Sequence, residues 1–132
     1  MKKKVRGYVF SRSFMGERVP QHVQNIIIRD YCDKNDLQYL LSASEYAMDQ
    51  CHLILTLLLE ELPQLDGIAA YSLFQLPENK EEREFIYSSV LTLGKTLHFC
   101  VEGLSMSNEA EKNRIENIWL VKQALSQIEN NG

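Results

Sequence analysis

Between residues 35 and 79 the chain has no lysine or arginine, while Asp36, Glu45, Asp49, Glu60, Glu61, Asp66 and Glu78 all fall in that stretch. A protein that grips duplex nucleic acid along an extended face needs many phosphate contacts, and this chain does not supply them. Nucleic acid is therefore not an expected partner. Cysteine is sparse. Cys32, Cys51 and Cys100 are odd in number, widely spaced and free of any Cys-x-x-Cys pair. That pattern argues against a disulfide framework and a structural zinc site, and it fits a reducing cytoplasm. Long apolar runs are missing too: the longest, Leu53 to Leu59, is interrupted by Thr56. A membrane span needs about 20 such residues, so no membrane partner is expected. The Met1-Lys-Lys-Lys start does not read as a signal peptide, because Arg6 and Arg12 interrupt any apolar core. No repeat, low-complexity tract or interdomain linker divides the chain.

What is present is an ordinary globular composition, 45% apolar and 24% charged over 132 residues. A chain of this length buries roughly two-thirds of its unfolded surface without staples. The formal net charge is −4, unevenly spread. Residues 1–20 hold six cations against Glu17 alone, and the remainder holds eight cations against seventeen anions. Lys2 to Arg6 lie at or before the first strand, whereas Arg12 and Arg18 flank the start of the first helix.

Val5 to Ser11 reads as a first strand, weakened by Arg6 and the flexible Gly7. Pro20 suits the first turn of a helix over residues 20–34, with Val23, Ile26, Ile27 and Tyr31 at helical spacing. Leu37 to Ser42 is a short second strand, followed by a helix from about Asp49 to Leu62. Ile68 to Phe74 reads as a strand buried on both faces, Glu81 to Leu93 as a helix stopped by Gly94, and Thr96 to Val101 as a fourth strand. Asn108 and Glu111 cap a last helix over about 109–128. The expected fold is therefore one α/β domain over residues 1–132. It has three layers and a four-stranded, mostly parallel sheet in an α/β core over 1–104, with an added C-terminal helix over 105–132.

In an open parallel sheet, ligands bind outside the carboxyl ends of the strands. Those ends hold Ser11, Arg12 and Ser13 after strand one, and Ser42, Ser44, Glu45 and Tyr46 after strand two. Tyr71, Ser72 and Gln75 follow strand three, and Glu102 follows strand four. The free N–H groups of the Pro20 helix, which begins with Gln21 and His22, favour an anion, and Arg12 and Arg18 offer full charges to it. The plainer alternative is a solvated loop whose arginines meet surface carboxylates. Glu45 is the candidate general acid or base, with structural hydrogen bonding as its competing role. His22, Ser11 and Ser13 are placed for chemistry but sit in no nucleophile motif. His52 and His98 read as packed histidines, no metal-ligand spacing occurs, and no cofactor is specified.

The helix near residues 53–62 is apolar around nearly its whole circumference. A single sheet-facing stripe cannot explain that, so either the last helix or a second copy of the chain is expected to cover it. A homodimer is the expectation.

The segments Arg6-Gly-Tyr-Val-Phe-Ser-Arg, Val19-Pro-Gln-His-Val-Gln-Asn, Leu40-Leu-Ser-Ala-Ser-Glu-Tyr, Asp66-Gly-Ile-Ala-Ala-Tyr-Ser-Leu-Phe-Gln-Leu-Pro and Leu97-His-Phe-Cys-Val-Glu resemble the small proteins of the sporadic carbohydrate cluster family. The resemblance covers nearly the whole chain and implies a role in bacterial surface-carbohydrate biosynthesis. More distantly, the Gly7-Tyr8 strand, the glutamine-bearing helix and the strand ending in Tyr-Ser-Leu-Phe-Gln-Leu are similar to the catalytic domain of serine recombinases, which implies a resolvase-like or flavodoxin-like arrangement. Those enzymes place an arginine, and two residues later the nucleophilic serine, after the tyrosine. Here the two positions hold Phe10 and Arg12. The likeness implies the fold and not recombination.

Two functional expectations follow. In the first, the chain is a small enzyme on a phosphorylated or acidic sugar, with Arg12 and Arg18 on the anion, Glu45 as acid or base, and Gln21, Tyr46, Tyr71, Ser72, Gln75 and Glu102 around the substrate. In the second, it is a noncatalytic binding or assembly subunit that docks a pathway enzyme through its second or last helix.

Overall fold

A computed structural model describes residues 1–131, with side chains through residue 128. In chain order the elements are β1 (Lys3–Phe10), α1 (Gln21–Lys34), β2 (Leu37–Glu45), α2 (Leu53–Glu61), β3 (Gly67–Ala70), α3 (Lys80–Thr92), β4 (Thr96–Phe99), β5 (Leu104–Met106) and α4 (Glu109–Asn131). Short 3₁₀ turns follow α2 at Leu62–Gln64 and β3 at Leu73–Gln75. The sheet runs β2-β1-β3-β4-β5, with the first four strands parallel and β5 antiparallel to β4.

Period-two alternation along β1 sorts the core into two layers. Val5 and Val9 face α1, where Ile28 and Cys32 complete a smaller apolar cluster with Leu37 and Ala69. Tyr8 and Phe10 face the other way, into a larger cluster with Leu55 and Leu58 of α2, Ile86 and Val90 of α3, and Ile115 and Trp119 of α4. Burying each of these side chains contributes roughly 1.5–3 kcal/mol. The sheet order reverses between β1 and β3, so the switch point of the fold lies at the carboxyl end of β1.

Gly7, which weakened the strand reading, is required where it stands. Any Cβ there would collide with Ser42 Oγ and crowd the Tyr39 ring, at the irregularity where the β1–β2 register shifts between Arg6 and Tyr8.

The expected four strands are five. Gly103, at φ +65°, turns the chain back so that Leu104–Met106 pairs with Leu97–Phe99. The region 105–132, expected to be the C-terminal helix, thus begins with two strand residues, Ser105 and Met106, before α4 starts at Glu109. β2 reaches Glu45 rather than Ser42, and α2 starts at Leu53 rather than Asp49. On α2, Leu55 and Leu58 are buried, while Leu53 and Leu57 remain exposed at 52% and 48%. α2 packs against β2 and α3, and α4 lies against β5.

One buried ion pair ties α3 to α4. Arg83 donates from Nε and Nη2 to the two oxygens of Glu116 at 2.9 and 2.7 Å, and Tyr87 donates to the same carboxylate at 2.9 Å. Burial pushes the Glu116 carboxyl up, but the bonds from Arg83 and Tyr87 outweigh it and hold the group below the usual carboxylate range. The Arg83 guanidinium lies 3.6 Å from the Trp119 ring centroid, which fixes the indole in the core. No helix among the described residues is long and apolar enough to cross a membrane.

Candidate functional site

The segment after β1 is a tight reversal rather than an open loop. Phe14 and Glu17 exchange backbone hydrogen bonds at 2.9 and 3.0 Å, and both residues between them take the left-handed conformation, Met15 at φ 51° and Gly16 at φ 76°. Two such residues in succession make the turn whose twist matches a hairpin. Glycine accepts this conformation freely, whereas methionine is strained in it.

Folded this way, the reversal forms one wall of a cleft of about 90 Å³ at the switch point. Phe10, Arg12, Ser13, Phe14 and Met15 come from the β1 end, Asp49, Gln50 and His52 from the approach to α2, and Phe74, Leu76 and Glu78 from the segment after β3. Trp119 and Gln123 of α4 close it. Gln50 is a second non-glycine residue at positive φ, 60°, so two strained positions border the same cavity. Held strain of this kind concentrates at ligand sites. Two neighbouring grooves share walls with the cleft: one of about 530 Å³ at Gln50 and His52, and one of about 200 Å³ at Phe14, Met15 and Phe74.

Arg12 is fixed in the wall. Its Nη1 donates to the Tyr46 carbonyl at 2.8 Å, and its guanidinium lies 4.1 Å from the Phe10 ring centroid. A guanidinium carries five N–H donors, so this anchoring leaves the greater part of it for a ligand. His52 Nε2 lies 3.0 Å from the Gln75 carbonyl, an acceptor only, and therefore carries the proton. Burial pulls the His52 ring below the usual histidine range; the hydrogen bond to the Gln75 carbonyl opposes it, the nearby Arg12 charge adds to it, and the Gln50 backbone and the Glu45 charge oppose it to a smaller degree. The ring is neutral near pH 7.

The other strand-end residues have different tasks. Glu45, 2% exposed, accepts from the Tyr8 hydroxyl at 2.8 Å and from the backbone N–H groups of Tyr46, Ile54 and Leu55 at 3.1, 3.0 and 3.2 Å. It caps the start of α2 from the end of β2. Tyr8, buried and facing this carboxylate, is pushed far above the ordinary tyrosine range by burial first and by the Glu45 charge second. Both Glu45 oxygens are thus committed to holding the fold, which leaves none free to move a proton.

Ser11 Oγ donates to the Glu45 carbonyl at 2.9 Å and is engaged in the same junction. Ser72 and Gln75 form a capping box around the 3₁₀ turn, and Glu102 accepts from Ser72 Oγ and from the Leu73 N–H, both at 2.8 Å. Gln21 accepts from Ser44 Oγ at 3.1 Å. Tyr71 packs edge-on against Phe14 at 6.1 Å and borders the smaller side groove with Ser72 and Glu102. Tyr46 is half-exposed and serves through its backbone.

Arg18 and His22 are exposed and lie outside all three clefts. The expected convergence of Arg12 and Arg18 on the start of α1 does not occur. Arg12 instead turns toward β2 and α2, because the Tyr46 carbonyl and the Phe10 ring hold it there.

Sequence reasoning missed Asp49, Gln50 and Phe14 as site residues, and read His52 and Trp119 as packing. It also missed Gln24, which is fully buried. Gln24 Oε1 accepts from the Phe10 N–H at 2.9 Å, its Nε2 donates to the Phe10 and Val19 carbonyls at 2.8 Å, and Gln75 donates to it at 2.9 Å. A polar residue on the buried face of α1 was the available signal.

No family model matches the sequence, and no curated protein matches it. Among solved structures, the chain is similar to a resolvase family site-specific recombinase from Streptococcus pneumoniae. The TM-score is 0.64 at 9% identity, over 96% of this chain and 93% of that one. The fold is that of a resolvase-type α/β domain. The N-terminal catalytic domain of TP901-1 integrase is similar as well, with TM-score 0.60 and 11% identity over 94% of this chain and 98% of that one. At such identities the likeness concerns the resolvase-type fold alone.

Proposed function

We propose that this chain binds a phosphorylated or acidic sugar in the Arg12 cleft, in the service of bacterial surface-carbohydrate biosynthesis. The observation that carries the reading is the anchored Arg12 guanidinium, aligned by Tyr46 and Phe10 at the switch point with most of its donors unengaged. The cleft also contains Asp49 and Glu78. A wall of mixed charge suits a ligand that pairs an anionic group with hydroxyls, since carboxylates accept from hydroxyls and repel a bare anion. The pathway assignment rests on the sequence resemblance.

Binding without catalysis is favoured over an enzymatic role by one finding: Glu45 and Glu102, the two strand-end acids, are both committed to backbone N–H groups. The assembly-subunit alternative draws on the exposed Leu53 and Leu57 of α2 and Phe85 of α3.

Thermal-shift measurements separate these readings. Hexose phosphates and uronic acids stabilise the folded chain in a saturable way if they bind it, by mass action, and neutral hexoses do so less. Arg12→Ala abolishes the shift. An unshifted midpoint across the whole panel removes the sugar-anion reading and leaves the assembly role.

A further inference from the structure

Beside the Arg12 cleft, the groove of about 530 Å³ runs between the first turns of α2 and α3, with Leu53 and Thr56 on one wall and Glu81, Glu82 and Phe85 on the other. Leu53 and Phe85 are 52% and 61% exposed, and Leu57, 48% exposed one turn further along α2, extends the same apolar face. Apolar side chains grouped on one surface, unlike scattered ones, mark a place that another molecule covers. The charge here has one sign. Asp49, Glu60, Glu78, Glu81 and Glu82 all lie on the segments that build this face, and none of the five is in an ion pair among the described residues. Of the two cations on the same segments, Arg83 is buried against Glu116 and Lys80 is not a wall of the groove. The α3 dipole accounts for Glu81 and Glu82 in its first turn and leaves the exposed Phe85 beside them unexplained.

We propose that this face docks an amphipathic basic helix of a partner protein, with its apolar side chains on Leu53, Leu57 and Phe85 and its lysines or arginines against Glu60, Glu81 and Glu82. This gives the assembly alternative its chemistry and does not depend on the sugar reading. Other occupants fit the same residues worse. A symmetric pair of chains brings one acidic face against another, where like charges repel, and nucleic acid is repelled in the same way. An extended peptide takes its main-chain bonds from a free sheet edge, which two helices do not offer. A helix arrives with its backbone bonds already made and lays an apolar stripe into such a groove.

The test is fluorescence anisotropy of labelled peptides of about 18 residues with the full chain. The three peptides are a leucine–lysine helix apolar on one face, the same helix with glutamate for lysine, and a lysine–serine peptide of equal positive charge. At about 0.15 M salt the leucine–lysine helix is expected to bind about tenfold or more tighter than the other two. Phe85→Ser and Leu57→Ser, both at exposed positions, each weaken it by about fivefold or more. Glu81→Gln with Glu82→Gln weakens it too and flattens its salt dependence. Asp30→Asn with Asp33→Asn removes the same charge from α1, on the opposite face of the sheet, and leaves binding unchanged. Equal loss from the two charge pairs, or equal binding of the lysine–serine peptide, reduces the contact to bulk charge and overturns the docking site. A dimer of the unaltered chain in sedimentation that Phe85→Ser dissociates assigns the face to a second copy and overturns it as well. Absence of peptide binding does the same, and a chain that still binds hexose phosphates then keeps the sugar reading and loses only this one.

Discussion

The Tyr8 hydroxyl and the Glu45 carboxylate meet at 2.8 Å in the core, where the end of β1 is joined to the end of β2. The same carboxylate holds the first N–H groups of α2, so one acidic side chain ties two strands and a helix together. Glu45→Ala therefore strands four donors, of which the Tyr8 hydroxyl and the Leu55 N–H are buried, and destabilises the fold by about 3 kcal/mol or more. Glu45→Gln, which keeps an acceptor oxygen, costs less. Urea unfolding measures both. A Glu45→Gln protein that binds ligand with wild-type affinity agrees with the structural role of this residue.

Arg83 and Glu116 form the corresponding link between α3 and α4, with the Arg83 side chain 1% exposed. Truncating either partner leaves the other charge buried and unpaired, so Arg83→Ala and Glu116→Ala each cost about 3–5 kcal/mol. Because the guanidinium also supports the Trp119 ring, Arg83→Ala shifts the fluorescence of this sole tryptophan under native conditions.

His98 sits beneath α1 with its Nδ1 paired to the Tyr31 hydroxyl at 2.8 Å. Burial, and to a smaller degree the Lys3 charge, lowers its pKa from 6.5 to about 4. The folded chain therefore resists a proton that the unfolded chain accepts. The stability this gives is complete above pH 6.5 and is lost as pH falls toward 4. Between pH 7.5 and 4.5 the wild type should lose about 2 kcal/mol more than His98→Asn, read as the difference between two denaturant curves at each pH.

Met15 holds φ 51° at the tip of the cleft-forming reversal. Left-handed backbone costs a non-glycine residue about 1–2 kcal/mol, part of which glycine returns as unfolded-state entropy. Met15→Gly is expected to raise stability by about 0.5 kcal/mol in thermal melts and to weaken ligand binding, since the Met15 side chain borders the cleft.

The alternation of strands and helices was legible in the sequence because each element carries its own local period. Where the reading slipped, the cause was non-local. α2 starts at Leu53 because Glu45, eight positions earlier on another element, supplies its cap, and no sequence window shows that pairing. β5 escaped notice because three residues pair only after Gly103 has turned them against β4. The carboxyl-end rule located the site region and Arg12, but His52 and Trp119 reach the cleft from segments 67 residues apart, each with the local appearance of core.

The most direct measurement is a crystal structure of the chain grown or soaked with the hexose 1-phosphate that binds it most tightly. The predicted complex has the phosphate on the Arg12 guanidinium and the sugar ring in the same cleft against Phe10 and Phe14. A ligand bound elsewhere on the surface, with the Arg12 cleft holding only water, contradicts the assignment.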